Sequence, residues 1–189
     1  MPIVRYAALP LLFLVVTTSC RHEEPPLALA QEASEHLARQ QWQAAEPLLK
    51  RYLLHYPYDA AAHFYLGHCY LMANPPWPTV AQGELELALA IFSRRDNRKS
   101  PISNYSADDF EVLCYVGIAR AHLTYARHFE DATSHPEQAY FVEMARRALE
   151  KARAINPDAA EIVDVENQLR QIQQPPRHPR IEVPSTLAS

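Results

Sequence analysis

Hydrophobic positions along most of this chain recur with the spacing of amphipathic helices. Apolar residues return every three or four positions, and Ala, Leu, Glu, Gln and Arg fill much of the sequence around them. This pattern predicts helices at residues 27–40, 43–55, 60–73, 80–94, 107–133, 136–155 and 159–173.

Proline and glycine usage supports the same interpretation. Proline clusters lie between or beyond the predicted helices, at residues 75–78 and 175–184. With only 3 glycines, few positions favour the positive φ of tight β-hairpins. Ser106 with Asp109 resembles a capping box, and Pro136 suits the first turn of a helix. We therefore predict an all-α fold, with a proline-rich disordered tail at residues 174–189.

The first 19 residues have the pattern of an export signal. Arg5 precedes an apolar run at residues 7–16, which is too short to span a bilayer comfortably. Small residues then lead to Cys20, and this ending resembles the lipobox of bacterial lipoproteins, although Thr17 stands where that family usually has Leu. Ordinary secretion and an uncleaved anchor are the alternatives.

The lipobox resemblance implies a particular organisation of the N-terminus. Residues 1–19 would be a removed signal peptide, and Cys20 would be the lipidated first residue of the mature chain. Residues 20–26 would form a polar tether between the lipid and a folded domain at residues 27–173. Arg21 occupies the position where Asp often marks inner-membrane retention, so the resemblance implies the outer membrane.

One residue spacing occurs twice in the folded part. An alanine is followed four residues later by leucine and eight residues after that by proline, with Asp-Ala-Ala close behind each proline. The two copies are Ala45, Leu49 and Pro57, then Ala145, Leu149 and Pro157. A repeated helical unit is the simplest explanation of this recurrence.

The repeated spacing resembles the tetratricopeptide repeat, together with Leu66-Gly67 before Tyr70 and with Val116-Gly117. The resemblance implies a short α-solenoid of about three helix pairs plus a C-terminal closing helix. Small residues such as Gly67 would let paired helices approach closely. Arg120 departs from the pattern, which expects an aromatic residue there. An unrelated helical bundle is the alternative.

The family resemblance further implies a protein-binding groove on the first helix of each pair. Phe64, His68 and Leu71 share one helix face because they are four and three residues apart. The same face would extend to residues of the other first helices: Ala30, Ser34, Leu37, Cys114, Ile118 and Ala121. Alternatively, Phe64 and Leu71 pack against a neighbouring repeat and His68 faces solvent without a function.

Few features of the sequence suggest nucleic-acid binding, metal binding or catalysis. The 18 Lys and Arg residues are balanced by 22 Asp and Glu residues, and no basic run is long enough to track a nucleic acid. The 9 histidines form no pair at helical i, i+4 spacing, so we expect neither a metal site nor a cofactor. No catalytic motif occurs, so we expect no enzyme.

Cys69 and Cys114 are expected to be buried free thiols, although export would permit a disulfide.

Two functions from different classes remain open. The first is a lipid-anchored adaptor that binds a protein or peptide in the cell envelope, where related lipoproteins serve outer-membrane, pilus or secretion assembly or regulate cell-wall enzymes. The second is an exported hydrolase or small-ligand-binding lipoprotein whose site forms only in three dimensions. An open helix-lined groove favours the first, and a deep enclosed cavity with converging polar groups favours the second.

Overall fold

The computed structural model describes residues 25–94, 100–103, 105–129 and 136–173. Within these ranges the chain folds into helices without any strand, which confirms the all-α prediction. The helices are α1 (Pro26–Ala38), α2 (Trp42–His55), α3 (Ala60–Leu71), α4 (Pro78–Arg94), α5 (Ala107–Arg127), α6 (Pro136–Ile155) and α7 (Ala160–Gln173). The predicted signal peptide, Cys20 and the C-terminal tail lie outside the described residues.

Several helices begin where proline or a capping residue permits. α4 begins at Pro78, two residues earlier than predicted. Proline suits the first turn of a helix because the N–H that it lacks would be unpaired there, and because its φ angle is already helical. Ser106 caps α5 as predicted. Its Oγ accepts from the Asp109 N–H at 3.1 Å and donates to the Asp109 carboxylate at 2.6 Å.

α1 ends at Ala38 instead of Gln40, because the chain reverses in a Schellman-type turn. The Gln41 N–H donates to the carbonyl of His36 at 2.9 Å, and the Gln40 N–H donates to that of Leu37 at 2.9 Å. Gln40 adopts a left-handed φ of 56°, a conformation that this turn usually reserves for glycine. No glycine therefore marked this helix end in the sequence.

α5 also ends earlier than predicted, at Arg127. The N–H groups of His128 and Phe129 donate to carbonyls three residues back, at 3.0 and 3.2 Å, which tightens the last turn. The Phe129 ring then stacks against Phe141 of α6, with ring centroids 6.2 Å apart and planes at 11°. The remainder of the predicted helix, residues 130–133, lies outside the described residues.

The helices pack mainly as consecutive pairs. α1 packs against α2, α3 against α4, and α5 against α6. Contacts of α2 with α3 and of α4 with α5 join one pair to the next, and α7 packs against both α5 and α6. In the described part of the chain, each helix after α1 therefore packs against a helix that precedes it in sequence.

Two groups of buried side chains form the hydrophobic core. The smaller group joins α1, α2 and the inner side of α3, and it contains Leu29, Leu49 and Leu66. The larger group extends from α3 to α7. Tyr65 of α3 packs against both groups, so α3 connects the two halves of the core.

Two helices pack closely against Leu85, which is completely buried in α4. A Cβ atom added at Gly67 of α3 would lie 2.8 Å from Leu85 Cγ and 3.1 Å from the Ala81 carbonyl oxygen. A Cβ atom added at Gly117 of α5 would lie 2.9 Å from Leu85 Cδ1. The two glycines thus leave the space that Leu85 fills, which confirms that Gly67 allows close helix approach.

We expect Gly67→Ala to lower the free energy of unfolding. Overpacking a core costs about 1–3 kcal/mol, which exceeds the gain of about 1 kcal/mol that alanine has over glycine in a helix. Gly83→Ala is the matched control, because a Cβ atom there meets no other atom within 4 Å. It should stabilise the protein by up to about 1 kcal/mol. Urea unfolding of both variants is the measurement, and a shift in the same direction for both would contradict the packing argument.

Candidate functional site

Part of the loop between α4 and α5 lies against α1 and α3. Its described part, residues 100–103 together with Tyr105, is non-helical, and we call it the strap. Ser34 of α1 donates from its Oγ to the backbone carbonyl of Ile102 at 3.3 Å. The hydroxyl of Tyr105 is hydrogen-bonded to the hydroxyl of Tyr65 on α3. The strap is therefore attached to both helices by residues distant in sequence.

The strap also contributes a side chain to the core. Ile102 is only 9% exposed and packs within the smaller core group. Ser100, which is buried as well, donates from its Oγ to Asp59 Oδ2 at 2.8 Å and accepts from the Ile102 N–H at 3.1 Å. This last bond fixes the strap backbone so that Ile102 and Ser100 are buried together.

Asp59 is the polar centre of this region. Its Oδ1 caps α3 by accepting from the Ala62 N–H at 3.1 Å, and its Oδ2 accepts from the Tyr52 hydroxyl at 2.8 Å in addition to Ser100. Burial, reinforced by the hydrogen bond to Asp59, raises the pKa of Tyr52 above its usual range. A single buried carboxylate therefore links the end of α2, the start of α3 and the strap.

Aromatic rings cover the adjoining part of α3. Phe64 is 3% exposed, with its ring centroid 5.9 Å from that of Tyr105 and 5.6 Å from that of Phe110. Phe64 is thus a core residue, which corrects the prediction that its side chain is open to a groove. The strap and the start of α5 cover it, and neither contact could be derived from the periodicity of α3.

The four proposed groove residues divide into two classes. Ile118 is 7% exposed and, like Phe64, belongs to the larger core group, so its predicted exposure is also wrong. His68 and Leu71 are partly exposed on α3, as is Ser34 on α1. The remaining residues of the predicted face are buried: Ala30, Leu37, Cys114 and Ala121. The available surface is consequently narrower than the helix periodicity predicted, and its role in binding stays a prediction.

His68 lies between two aromatic rings. Its ring centroid is 4.6 Å from that of Phe64 and 6.2 Å from that of Trp42. Burial, with a smaller contribution from the positive charge of Arg120, lowers the pKa of His68 from 6.5 to about 4. Burial likewise lowers the pKa of His122, whose Nδ1 has no hydrogen-bond partner within the described structure.

The imidazole of His63 on α3 contacts both α4 and the turn that precedes α3. Its Nδ1 lies 2.6 Å from Glu84 Oε2 on α4, and its Nε2 lies 3.2 Å from the carbonyl oxygen of Pro57.

Over the residues that the structure describes, no group of three or more His, Cys, Asp or Glu side chains could hold a metal ion. In the same residues, no helix has the length and apolarity required to cross a membrane.

The two described cysteines are free thiols, as predicted. Cys69 and Cys114 are both buried and unpaired with each other. Burial raises the pKa of the Cys69 thiol to about 12 and also raises that of Cys114. Since the thiolate is the reactive form, both side chains are suited to packing and poorly suited to nucleophilic chemistry.

A surface cleft of about 260 Å³ lies between α6 and α7. Leu149 and Leu169 supply its apolar lining, and an ion pair between Arg153 and Glu166 crosses from one helix to the other. The other lining residues are Arg146, Glu150 and Arg170. No hydroxyl, thiol or imidazole side chain lines this cleft, and of its two carboxylates Glu166 is paired with Arg153.

Sequence reasoning missed the strap and its acceptor Asp59. The connection at residues 96–105 is polar, and one signal was present in it: Ile102 and Tyr105 are large hydrophobic side chains within a polar stretch. Their contacts with α1 and α3 join residues that are far apart in the sequence. No local pattern specifies which surface receives such side chains.

The chain matches no protein-family model, no curated protein and no solved structure. The structure defines its class at the level of the fold: an all-α protein of consecutively paired helices whose α4–α5 loop is attached to α1 and α3. Any function must therefore be proposed from the residues of this chain.

We expect His68 to make the folded protein sensitive to acid. Because the pKa of His68 is lowered to about 4 from 6.5, the unfolded chain binds more protons between these values. The free energy of unfolding should therefore be highest above about pH 6.5 and should fall as the pH decreases towards 4. His68→Gln should reduce that slope, measured as the free energy of unfolding against pH. An unchanged slope would contradict the assignment.

Proposed function

We propose that this chain is a lipid-anchored helical-repeat scaffold that binds protein partners in the bacterial cell envelope. The observation that carries the proposal is the strap: side chains of α1 and α3 hold a non-helical segment of polypeptide through Ser34, Tyr65 and a buried apolar contact. A surface that holds one such segment in this way has the groups needed to hold another.

A tetratricopeptide-like arrangement of the helices is part of the proposal. It is supported by consecutive pairing of α1 with α2, α3 with α4 and α5 with α6, with α7 as the closing helix. In such arrays each pair buries the apolar face of its neighbour, and an extended face remains for binding.

The proposed location rests on the N-terminal sequence. A short apolar run ends in small residues before Cys20, and a polar segment separates this cysteine from α1, which begins at Pro26. This arrangement fits a lipidated cysteine followed by a tether. Arg21 directly after Cys20 supports the outer membrane, with the folded domain facing the periplasm.

The alternative function is an exported hydrolase or small-ligand-binding lipoprotein, and the cleft between α6 and α7 is the observation that bears on it. Its volume of about 260 Å³ is below the range of about 300–1,000 Å³ typical of ligand pockets. Across the middle of the cleft, Arg153 is paired with Glu166 and is therefore already engaged within the protein. These features favour the scaffold over the alternative.

The anchor is tested with Cys20→Ser. We expect the substituted protein to move from the membrane fraction to the soluble fraction, because a lipid on Cys20 would supply the membrane attachment. Immunoblotting of fractionated cells is the measurement, with Val163→Ser, an exposed position on α7, as the control that leaves Cys20 intact. Retention of Cys20→Ser in the membrane would refute lipid anchoring at this residue.

The scaffold function is tested by affinity capture from detergent-solubilised envelopes. We expect defined proteins to be retained by the wild-type chain and lost from His68→Ala combined with Leu71→Ala, which truncates two of the partly exposed side chains of α3. Val163→Ala on α7, whose side chain is 52% exposed, is the matched control and should keep them.

Melting temperatures must be measured for all three proteins in this experiment. A protein retained equally by all of them does not bind through His68 or Leu71, and the absence of any specific retained protein from the wild-type capture would count against a scaffold.

A further inference from the structure

We propose that the strap is an intramolecular ligand, and that protein partners bind the same surface of α1 and α3 by displacing it. The partner segment would carry a hydroxyl side chain, an aliphatic side chain two residues later and an aromatic side chain three residues after that. This spacing is that of Ser100, Ile102 and Tyr105. The inference rests on the proposed scaffold function and adds its regulation and the chemistry of its partner.

The backbone contact of the strap is independent of its sequence. Ser34 donates to the carbonyl oxygen of Ile102, a group that every residue carries. The same hydroxyl can therefore donate to a carbonyl of a partner segment placed along the same path. This contact fixes the position of a bound chain without selecting its side chains.

Asp59 supplies the first selective contact. Its Oδ2 is buried and accepts from Ser100 as well as from Tyr52. A buried carboxylate oxygen that loses a donor is costly, since water does not replace the lost hydrogen bond. A displacing segment must therefore bring its own donor, and a serine or threonine hydroxyl in the place of Ser100 meets this need.

The apolar and aromatic contacts select the remaining two positions. Ile102 is nearly enclosed by the smaller core group, which accepts an aliphatic side chain of similar size. Tyr105 packs against Phe64 and Phe110 and bonds to the hydroxyl of Tyr65. A tyrosine at the corresponding position reproduces both the ring contacts and the hydrogen bond.

Occupation by the strap lowers the affinity of the surface for any other segment. The apparent dissociation constant equals the intrinsic one divided by the fraction of molecules in which the surface is open. A substitution that weakens the strap, and leaves α1 and α3 unchanged, must therefore strengthen the binding of a separate peptide. Loss of an ordinary binding contact would have the opposite effect.

The experiment uses the purified full chain in detergent and a fluorescent synthetic peptide of residues 99–106. Ile102→Ser in the protein should bind this peptide about tenfold or more tightly than the wild type does, because the strap loses its buried aliphatic side chain. Ser100→Ala should give a smaller increase. Fluorescence anisotropy gives the affinities, and circular dichroism with thermal melting verifies that each variant is folded.

Two controls define the specificity of the effect. Val163→Ser removes an exposed aliphatic side chain of α7 and should bind the peptide as the wild type does. A peptide with serine in the place of Ile102 should bind every protein more weakly than the unmodified peptide.

The proposal is overturned if the peptide binds none of these proteins at concentrations up to about 1 mM. It is equally overturned if the wild type, Ile102→Ser and Ser100→Ala bind the peptide with the same affinity. Either result would leave the scaffold function intact if the envelope capture retains its partners, whereas a failed capture with successful peptide exchange would count against the scaffold alone.

Discussion

The contact of Leu85 with two glycines is the constraint on which the central part of the fold depends. Leu85 of α4 occupies the space that Gly67 and Gly117 leave empty, and this fixes the distance of α4 from both α3 and α5. The larger core group extends on both sides of this contact, from α3 to α7. Interiors are packed at crystal-like density, so a methyl group at either glycine would have to move a helix or distort Leu85.

The position of α3 has a direct consequence for the surface of the molecule. With its glycine face against α4, α3 turns Ala62, Leu66 and Cys69 towards the smaller core group. Asp59 at its N-terminus then meets Ser100, and Tyr65 meets Tyr105. The helix that joins the two halves of the core is therefore also the helix that receives most of the strap.

The strap covers the face of α1 and α3 to which the proposed function assigns binding. A face left open to water would expose Phe64, whereas here the strap and Phe110 bury it. The strap is held by one buried aliphatic side chain, a tyrosine and a few hydrogen bonds, of which the bond from Ser100 to the buried carboxylate of Asp59 is the most costly to lose. This closure protects an apolar surface, and the proposed partner segment would have to replace these same contacts.

The sequence by itself determined the helices, the Ser106 cap and the small-residue contact at Gly67, because these depend on local periodicity and on residue size. Most helix limits differed from prediction by two residues or fewer, and the larger error at α5 arose where Phe129 stacks on a separate helix. Only the tertiary structure decided that Phe64 and Ile118 are buried and that Asp59 binds Ser100. Helical periodicity shows which side chains share a face, and the burial of that face depends on segments that arrive from elsewhere in the chain.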